Sequence, residues 1–331
     1  IVIVGGLSAG PSAAAKARRE NEQCEIILFE KTSNISYATC GIPYALSGKV
    51  NSRDKLMVVN AQLLRDRFNI DVRLNEPVID IDTEARKVIT PQGTYTYSKL
   101  IFATGATAFT PPVKGLEAIT AWSHCKTIEN FDKMLADRVL QDKHSVTVMG
   151  AGLIGIEVAE NLIDAGKEVN LVEMADTVLP LWDAKFGTMA GKVLRQQGVN
   201  VFAGSYLQEI IPVDQNSFEI VLNTGHRFVT SYLVVGVGVR PNTQLLLAEG
   251  AEHLKNGAIV VDEHMQTSLP DIYAAGDCAS IKNLVTGKPD YFPMGTHSNK
   301  GGRAAGANAA GSEQVLKGAY GTAIVKVFDH T

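Results

Sequence analysis

One local pattern occurs twice in this chain and constrains its fold more than any other feature. Residues 1–4 form a short apolar run leading into Gly5, Gly6, Leu7, Ser8, Ala9 and Gly10. An alanine-rich helix follows over 12–19, then a second apolar run over 26–29 that ends at Glu30. Residues 146–149 lead in the same way into Gly150, Ala151, Gly152, Leu153, Ile154 and Gly155, then a helix over 156–165 and a run over 169–172 that ends at Glu173. Apolar runs without polar alternation suit strands buried on both faces, and the strand, turn, helix, strand order makes those strands parallel neighbours. The expectation is an α/β chain with two Rossmann-like units, one for each copy of the pattern.

At 331 residues the chain exceeds what one core usually supports, so two domains are expected. Between the two copies, residues 71–88 and 94–103 carry the β-branched character of strands around the turn at Pro91, Gln92 and Gly93. Residues 199–211 and 218–239 again read as strands, a later strand ends at Gly276 and Asp277, and a small-residue helix covers 295–311. The simplest division is a discontinuous first domain over 1–113 and 243–331, with a second domain over 114–242 inserted in it.

Composition removes several function classes. The formal net charge is -4, so no basic stripe for nucleic acid is present. No apolar run reaches the roughly 18 residues that cross a bilayer, and no charged segment precedes the apolar N-terminus. The chain reads as cytoplasmic, without membrane or nucleic-acid partners. Cys24, Cys40, Cys125 and Cys278 lack the paired spacings of a zinc site or a secreted disulfide framework, so reduced thiols and no metal are expected. The sequence opens on Ile1 and closes abruptly on Thr331, so one or both natural ends are expected to lie outside it.

A glycine-rich turn between strand and helix lets the backbone approach a pyrophosphate, which the unpaired N–H groups of the helix then bind. Gly150, Gly152 and Gly155 match that dinucleotide fingerprint in full, with Glu173 placed to accept from a ribose 2′-hydroxyl. The first copy departs from it, since Leu7 stands in place of the middle glycine. A carboxylate at the ribose repels the extra phosphate of NADP, and Met174, Ala175 and Asp176 supply no cation, so NAD is favoured.

The segments 5–10, 100–105, 150–155 and 273–277 together resemble, in order, the FAD and NAD motifs of the pyridine nucleotide-disulfide oxidoreductases. Within them, residues 36–44 (Ser-Tyr-Ala-Thr-Cys-Gly-Ile-Pro-Tyr) resemble the active-site stretch of coenzyme A disulfide reductases and NADH-dependent persulfide reductases. The resemblance implies that Gly5, Gly6, Leu7, Ser8 and Gly10 hold the FAD pyrophosphate. It assigns Glu30 and Lys31 to the adenosine ribose, Thr104 and Gly105 to the border of the flavin site, and Gly276 and Asp277 to the ribityl chain. Glu157 joins the NAD set, and the helix from Gly295 would aim its positive end at the flavin ring. It also implies a coenzyme A groove of Ser12, Lys16, Arg19, Ser36, Thr39 and Asn299. Thr39 stands where relatives often have Asn, and Phe68 where a basic residue helps hold the nucleotide. In the resembling family a strand like 323–328 leads into a C-terminal dimerisation domain. That domain is expected to be absent from this chain, with a homodimer for the full-length protein.

Cys40 lies among Gly and Pro rather than in an apolar stripe. Tyr37, Pro43, Ile35 and Ala45 occupy the positions where a second cysteine would complete a redox dithiol. A single cysteine of this kind cycles through a mixed disulfide, a persulfide or a sulfenic acid. The expected activity is an FAD-dependent NADH:disulfide oxidoreductase acting on a small-molecule disulfide, persulfide or polysulfide, with coenzyme A carried on Cys40. Two alternatives stand beside it: an NADH oxidase or peroxidase using a cysteine sulfenic acid, and an electron-transfer flavoprotein reductase. Ser8 stands where peroxidases of the family place a His, and His297 is a further residue expected near the flavin.

Overall fold

The computed structural model describes residues 1–331. In chain order its principal elements begin with β1 (Val2–Val4), α1 (Ala9–Glu20), β2 (Ile27–Phe29), α2 (Ile42–Leu46), β3 (Asp71–Arg73) and β4 (Leu100–Phe102). β5 (Trp122–His124), β6 (Ser145–Met149), α3 (Leu153–Asp164), β7 (Glu168–Glu173), α4 (Ala184–Gln196) and β8 (Val199–Ala203) follow. The last are β9 (Tyr232–Val235), β10 (Ile272–Ala274) and α5 (Gly295–Ala309). They fall into two compact units, the first made of 1–37, 57–107 and 240–323, the second of 38–56, 108–239 and 324–331.

The first unit holds a five-stranded parallel sheet in the order β10-β4-β1-β2-β3. Every side chain of β1 and β4 is buried, as an all-parallel sheet covered on both faces requires. Register aligns Val4 with Phe29 and with Phe102, and Phe102 with Ala274. The residues that follow each strand, from Gly5, Glu30, Ala103 and Ala275 onward, therefore emerge along one edge, where open α/β sheets bind ligands. α1 packs on α5 with backbone nearly touching backbone: a Cβ added to Gly302 would stand 2.2 Å from the Ala9 carbonyl oxygen.

The second unit repeats the plan, with a parallel sheet in the order β8-β7-β6-β9-β5. Each unit also carries a three-stranded antiparallel sheet, Asp80–Asp82, Lys87–Thr90 and Gly93–Thr96 in the first, Leu207–Pro212, Phe218–Leu222 and Arg227–Thr230 in the second. No helix is long and apolar enough to cross a membrane.

Local expectations shift in several places, among them the helix expected over 156–165, which runs Leu153–Asp164, and the runs over 199–211 and 218–239, which divide into shorter strands. The first helix begins at Ala9 rather than residue 12, because Pro11 falls in the first turn, where its missing N–H costs no helical bond. The run over 71–88 breaks into Asp71–Arg73 and Asp80–Asp82, with Asn75 at φ 55° and the donor-less Pro77 between them. Residues 323–328, read as a strand, form none. Val327 pairs only with His330 across a turn in which Phe328 adopts φ 52°. Val325 and Val327 are buried while Ile324 is 80% exposed, so the alternation sorts the side chains without any neighbouring strand to ladder with.

Candidate functional site

The two glycine turns are built alike. Gly5 has φ 109° and Gly150 has φ 98°, a region open to glycine, and a Cβ on either would strike a carbonyl oxygen, that of Ala103 at 2.1 Å or of Gly236 at 2.5 Å. The closing glycines are as crowded: a Cβ on Gly10 would lie 1.8 Å from the Gly5 oxygen, and one on Gly155 1.9 Å from the Gly150 oxygen. Gly152 has nothing within 4 Å of where a Cβ would project, so the middle of the second turn is an open cradle. Leu7, half-buried, fills the corresponding place in the first.

The carboxylates that close each unit are also matched. Glu30 Oε2 accepts from the Gly6 N–H at 2.8 Å, and its Oε1 accepts from the Thr32 N–H at 2.9 Å. Glu173 Oε2 accepts from the Ala151 N–H at 2.7 Å, and its Oε1 accepts from the Ala175 N–H at 2.9 Å. Glu30 Oε1 also accepts from Thr32 Oγ1 at 3.0 Å, so acceptor capacity for a ribose hydroxyl remains on Glu30 Oε2 and on both Glu173 oxygens, and the backbone bonds hold the two carboxylates in orientation.

Six helices have eight or more residues, and their amino ends divide sharply. Asn60, Thr127 and Asp183 cap the helices Ala61–Phe68, Ile128–Ala136 and α4 with side-chain hydrogen bonds. α1, α3 and α5 have no side-chain cap and no acidic residue in the first turn. Their orphan N–H groups and positive dipole ends are left for an outside acceptor. These are the three helices that follow the two glycine turns and that resemblance aims at the flavin ring. His297, in the first turn of α5, adds a buried Nδ1 with no partner.

Around the first sheet's edge, Thr104 donates through Oγ1 to the Asn242 carbonyl at 2.6 Å, and Gly105 turns at φ 66°. Gly276 turns at φ 88° ahead of Asp277, whose Oδ1 accepts from Ser298 Oγ at 3.2 Å. Tyr291 donates to the Asp277 carbonyl at 2.9 Å, and burial, then the Asp277 charge, pushes its phenol up. Lys31 is exposed.

The residues assigned to a coenzyme A groove are partly engaged with one another. Asn299 Nδ2 donates to Ser12 Oγ at 2.8 Å. Lys16 is ion-paired to Glu20 one turn on, and the Arg19 guanidinium lies 5.5 Å from the centre of the Phe68 ring. Ser36, at φ 47°, belongs to the first unit, whereas Thr39 and Cys40 belong to the second.

The four cysteines differ in access. Cys125 and Cys278 are buried and Cys24 is half-buried; Cys40 is exposed. Burial, with Glu157 nearby, pushes the Cys125 thiol up to about 12, and burial raises that of Cys278. Neither supplies a thiolate near neutrality. Cys40 sits in a single 3₁₀ turn, Thr39–Gly41, that continues directly into α2, and α2 packs on α3.

Sequence reasoning missed the polar face of α3. Glu157 was singled out, but Glu160, Asn161 and Asp164 were not, although their spacing on an otherwise apolar helix was visible. Burial, then the Glu160 charge, pushes the Glu157 carboxyl up. Tyr44, in α2, is raised by burial and then by Glu157 and Glu160.

A family model for pyridine nucleotide-disulphide oxidoreductases matches residues 1–305. An NADH oxidase of Methanocaldococcus jannaschii is 33% identical over 334 residues, which cover 99% of this chain and 74% of that protein. An NAD(P)H coenzyme A polysulfide/persulfide reductase of Pyrococcus horikoshii is 32% identical over 337 residues, with 99% and 74% covered. A solved NAD-dependent persulfide reductase from A. fulgidus superposes with a TM-score of 0.93 at 33% identity, and this chain spans 62% of its length.

Proposed function

The chain belongs to the pyridine nucleotide-disulphide oxidoreductase family, whose cofactors are FAD and a nicotinamide nucleotide, and on that premise we propose that it is an NADH-dependent reductase of small-molecule disulfides or persulfides working through Cys40. The observation that carries the reading is Cys40 itself, the one exposed cysteine, seated in a turn that leads into the helix packed on α3.

In this reading the turn at Gly5–Gly10 and the bare end of α1 take the FAD pyrophosphate, and the turn at Gly150–Gly155 and α3 take that of NADH. Bound flavin would supply the relay that turns the hydride of NADH into an electron pair for sulfur. Glu30 and Glu173 orient the two riboses, and Asp277 with Gly276 lines the flavin chain. The bare end of α5 would offer its positive potential to the bound flavin ring. The Cys40 thiolate attacks one sulfur of a disulfide RS–SR′, which forms Cys40–S–SR and releases R′S⁻. The electron pair from NADH then cleaves that mixed disulfide to the Cys40 thiolate and RS⁻. Overall NADH, one proton and RSSR′ give NAD⁺ and two thiols once the thiolates protonate. Ser12, Lys16, Arg19, Ser36, Thr39 and Asn299 are the proposed contacts for a coenzyme A carrier. An exposed unpaired thiol of this kind works in a reducing compartment, hence the cytoplasm, and a homodimer is the proposed assembly.

A second reading rests on the relative called an NADH oxidase: Cys40 would then cycle as a sulfenic acid, with oxygen or peroxide as acceptor. Turnover of NADH with coenzyme A disulfide, polysulfide, peroxide and oxygen separates the two. Sulfur acceptors should give the highest kcat/KM, and faster turnover with oxygen or peroxide would favour the second reading.

Nucleotide preference follows from Glu173, which is 8% exposed and hydrogen-bonded through both oxygens, so it cannot swing away from a 2′-phosphate. Stopped-flow reduction of the flavin should be faster with NADH than with NADPH by about tenfold or more. Equal rates would place the specificity elsewhere.

A further inference from the structure

α3 runs from the second glycine turn to Asp164. Glu157, Glu160, Asn161 and Asp164 recur along it at intervals of three and four, which puts them on one side. The chain just past Cys40 lies against that side. Ser47 Oγ donates to Asn161 Oδ1 at 2.6 Å, and Lys49 Nζ donates to Asp164 Oδ2 at 2.5 Å. Lys49 Nζ also lies 3.9 Å from Glu160 Oε1 and 5.9 Å from the centre of the Tyr44 ring.

Glu160 is only 4% exposed, and its second oxygen accepts from the Phe328 N–H at 2.9 Å. Three stretches distant in sequence, the Cys40 segment, α3 and the residues around Phe328, therefore meet on one buried carboxylate. The Lys49 side chain is 45% exposed, so its ion pairs with Glu160 and Asp164 add little to stability, and what they supply with the Ser47–Asn161 hydrogen bond is a fixed position of the segment along α3. That segment bears the exposed thiol.

We propose that Glu160 is a positioning residue: with Asn161 and Asp164 it clamps the Cys40 segment to α3, so that a nucleotide bound at the amino end of α3 alters the reactivity of Cys40. The inference rests on the reading that the Gly150–Gly155 turn takes NADH. A continuous helix with the ligand at one end and the clamp along its length is a physical link between them, and any coupling it carries is reciprocal.

The test uses the full 331-residue chain with FAD bound. Alkylation of Cys40 by iodoacetamide is timed by mass spectrometry, without nucleotide, with NAD⁺, and with ADP-ribose, which lacks the nicotinamide ring and so cannot shield the thiol with it. Calorimetry measures nucleotide binding separately. In the parent chain both ligands should change the alkylation rate by about fivefold or more. Glu160→Gln should abolish that response, Glu160→Asp should restore part of it, and Ser47→Ala with Lys49→Met, changed at the less buried partners, should reproduce the loss without altering α3. A purely structural role would lower stability and leave the nucleotide response intact. Variants that respond like the parent, or a parent thiol indifferent to a nucleotide shown to bind, overturn the inference. A parent that binds no nucleotide overturns the underlying reading instead.

Discussion

Cys40→Ser is expected to leave the protein yellow and reducible by NADH, yet to cut disulfide turnover by about 10³-fold or more. The asymmetry follows from what each half-reaction needs, since NADH can give up its hydride without any sulfur, whereas a disulfide is opened only by the Cys40 thiolate. The serine hydroxyl is nearly isosteric with the thiol but has no accessible anion near neutral pH and forms no mixed disulfide. Folding should be indifferent to the change, because Cys40 is exposed and the short turn Thr39–Gly41 buries none of its residues. None of the other cysteines can stand in. Cys125 and Cys278 are buried with raised thiols, and Cys24 donates its proton to the Asn21 carbonyl at 3.1 Å. Stopped-flow flavin reduction and steady-state disulfide turnover on the same sample make the comparison. A variant that reduces disulfides at the parent rate would remove Cys40 from the chemistry and favour an electron-transfer flavoprotein.

The parts of this structure legible in the sequence are those written locally. Val2, Ile3 and Val4 ahead of Gly5, and Val146 to Met149 ahead of Gly150, announce buried parallel strands and tight turns within a few residues, and the sheets form there with matching register. The carboxylates Glu30 and Glu173 were visible as strand ends for the same reason. Their identical bonding to Gly6 and Ala151 was not, because it depends on how strand end and turn meet in space. Residues 323–328 show the opposite failure: the pattern of a strand is present, but a strand exists only where a partner offers a ladder, and none does. Glu160 was missed because its partners, Lys49 and the Phe328 N–H, lie far away in sequence and one of them is a backbone group. The bare amino ends of α1, α3 and α5 were half legible. The absence of acidic residues in their first turns is in the sequence, but the idle hydroxyl of Ser8 is known only from the structure.

The crowding at the closing glycines allows the two nucleotide sites to be removed one at a time. Gly10→Val should yield colourless protein, and Gly155→Val should yield yellow protein whose flavin NADH reduces at least about 10²-fold more slowly. Each substitution drives a side chain into a carbonyl oxygen that already stands under 2 Å from the Cβ position, Gly5 in one case and Gly150 in the other. Backbone cannot yield as a flexible side chain does, so turn and helix must separate and the N–H groups lose their common aim at the pyrophosphate. The damage should stay within its own unit, because Gly10 and Gly155 pack against strands of different sheets, Ile3 in the first and Val148 in the second. Flavin content measured after denaturation, nucleotide binding by calorimetry and stopped-flow reduction together read out both sites. If Gly155→Val lost flavin while Gly10→Val kept it, the assignment of FAD to the first turn and NADH to the second would be reversed. If both variants kept flavin and were reduced at the parent rate, neither turn would hold a pyrophosphate.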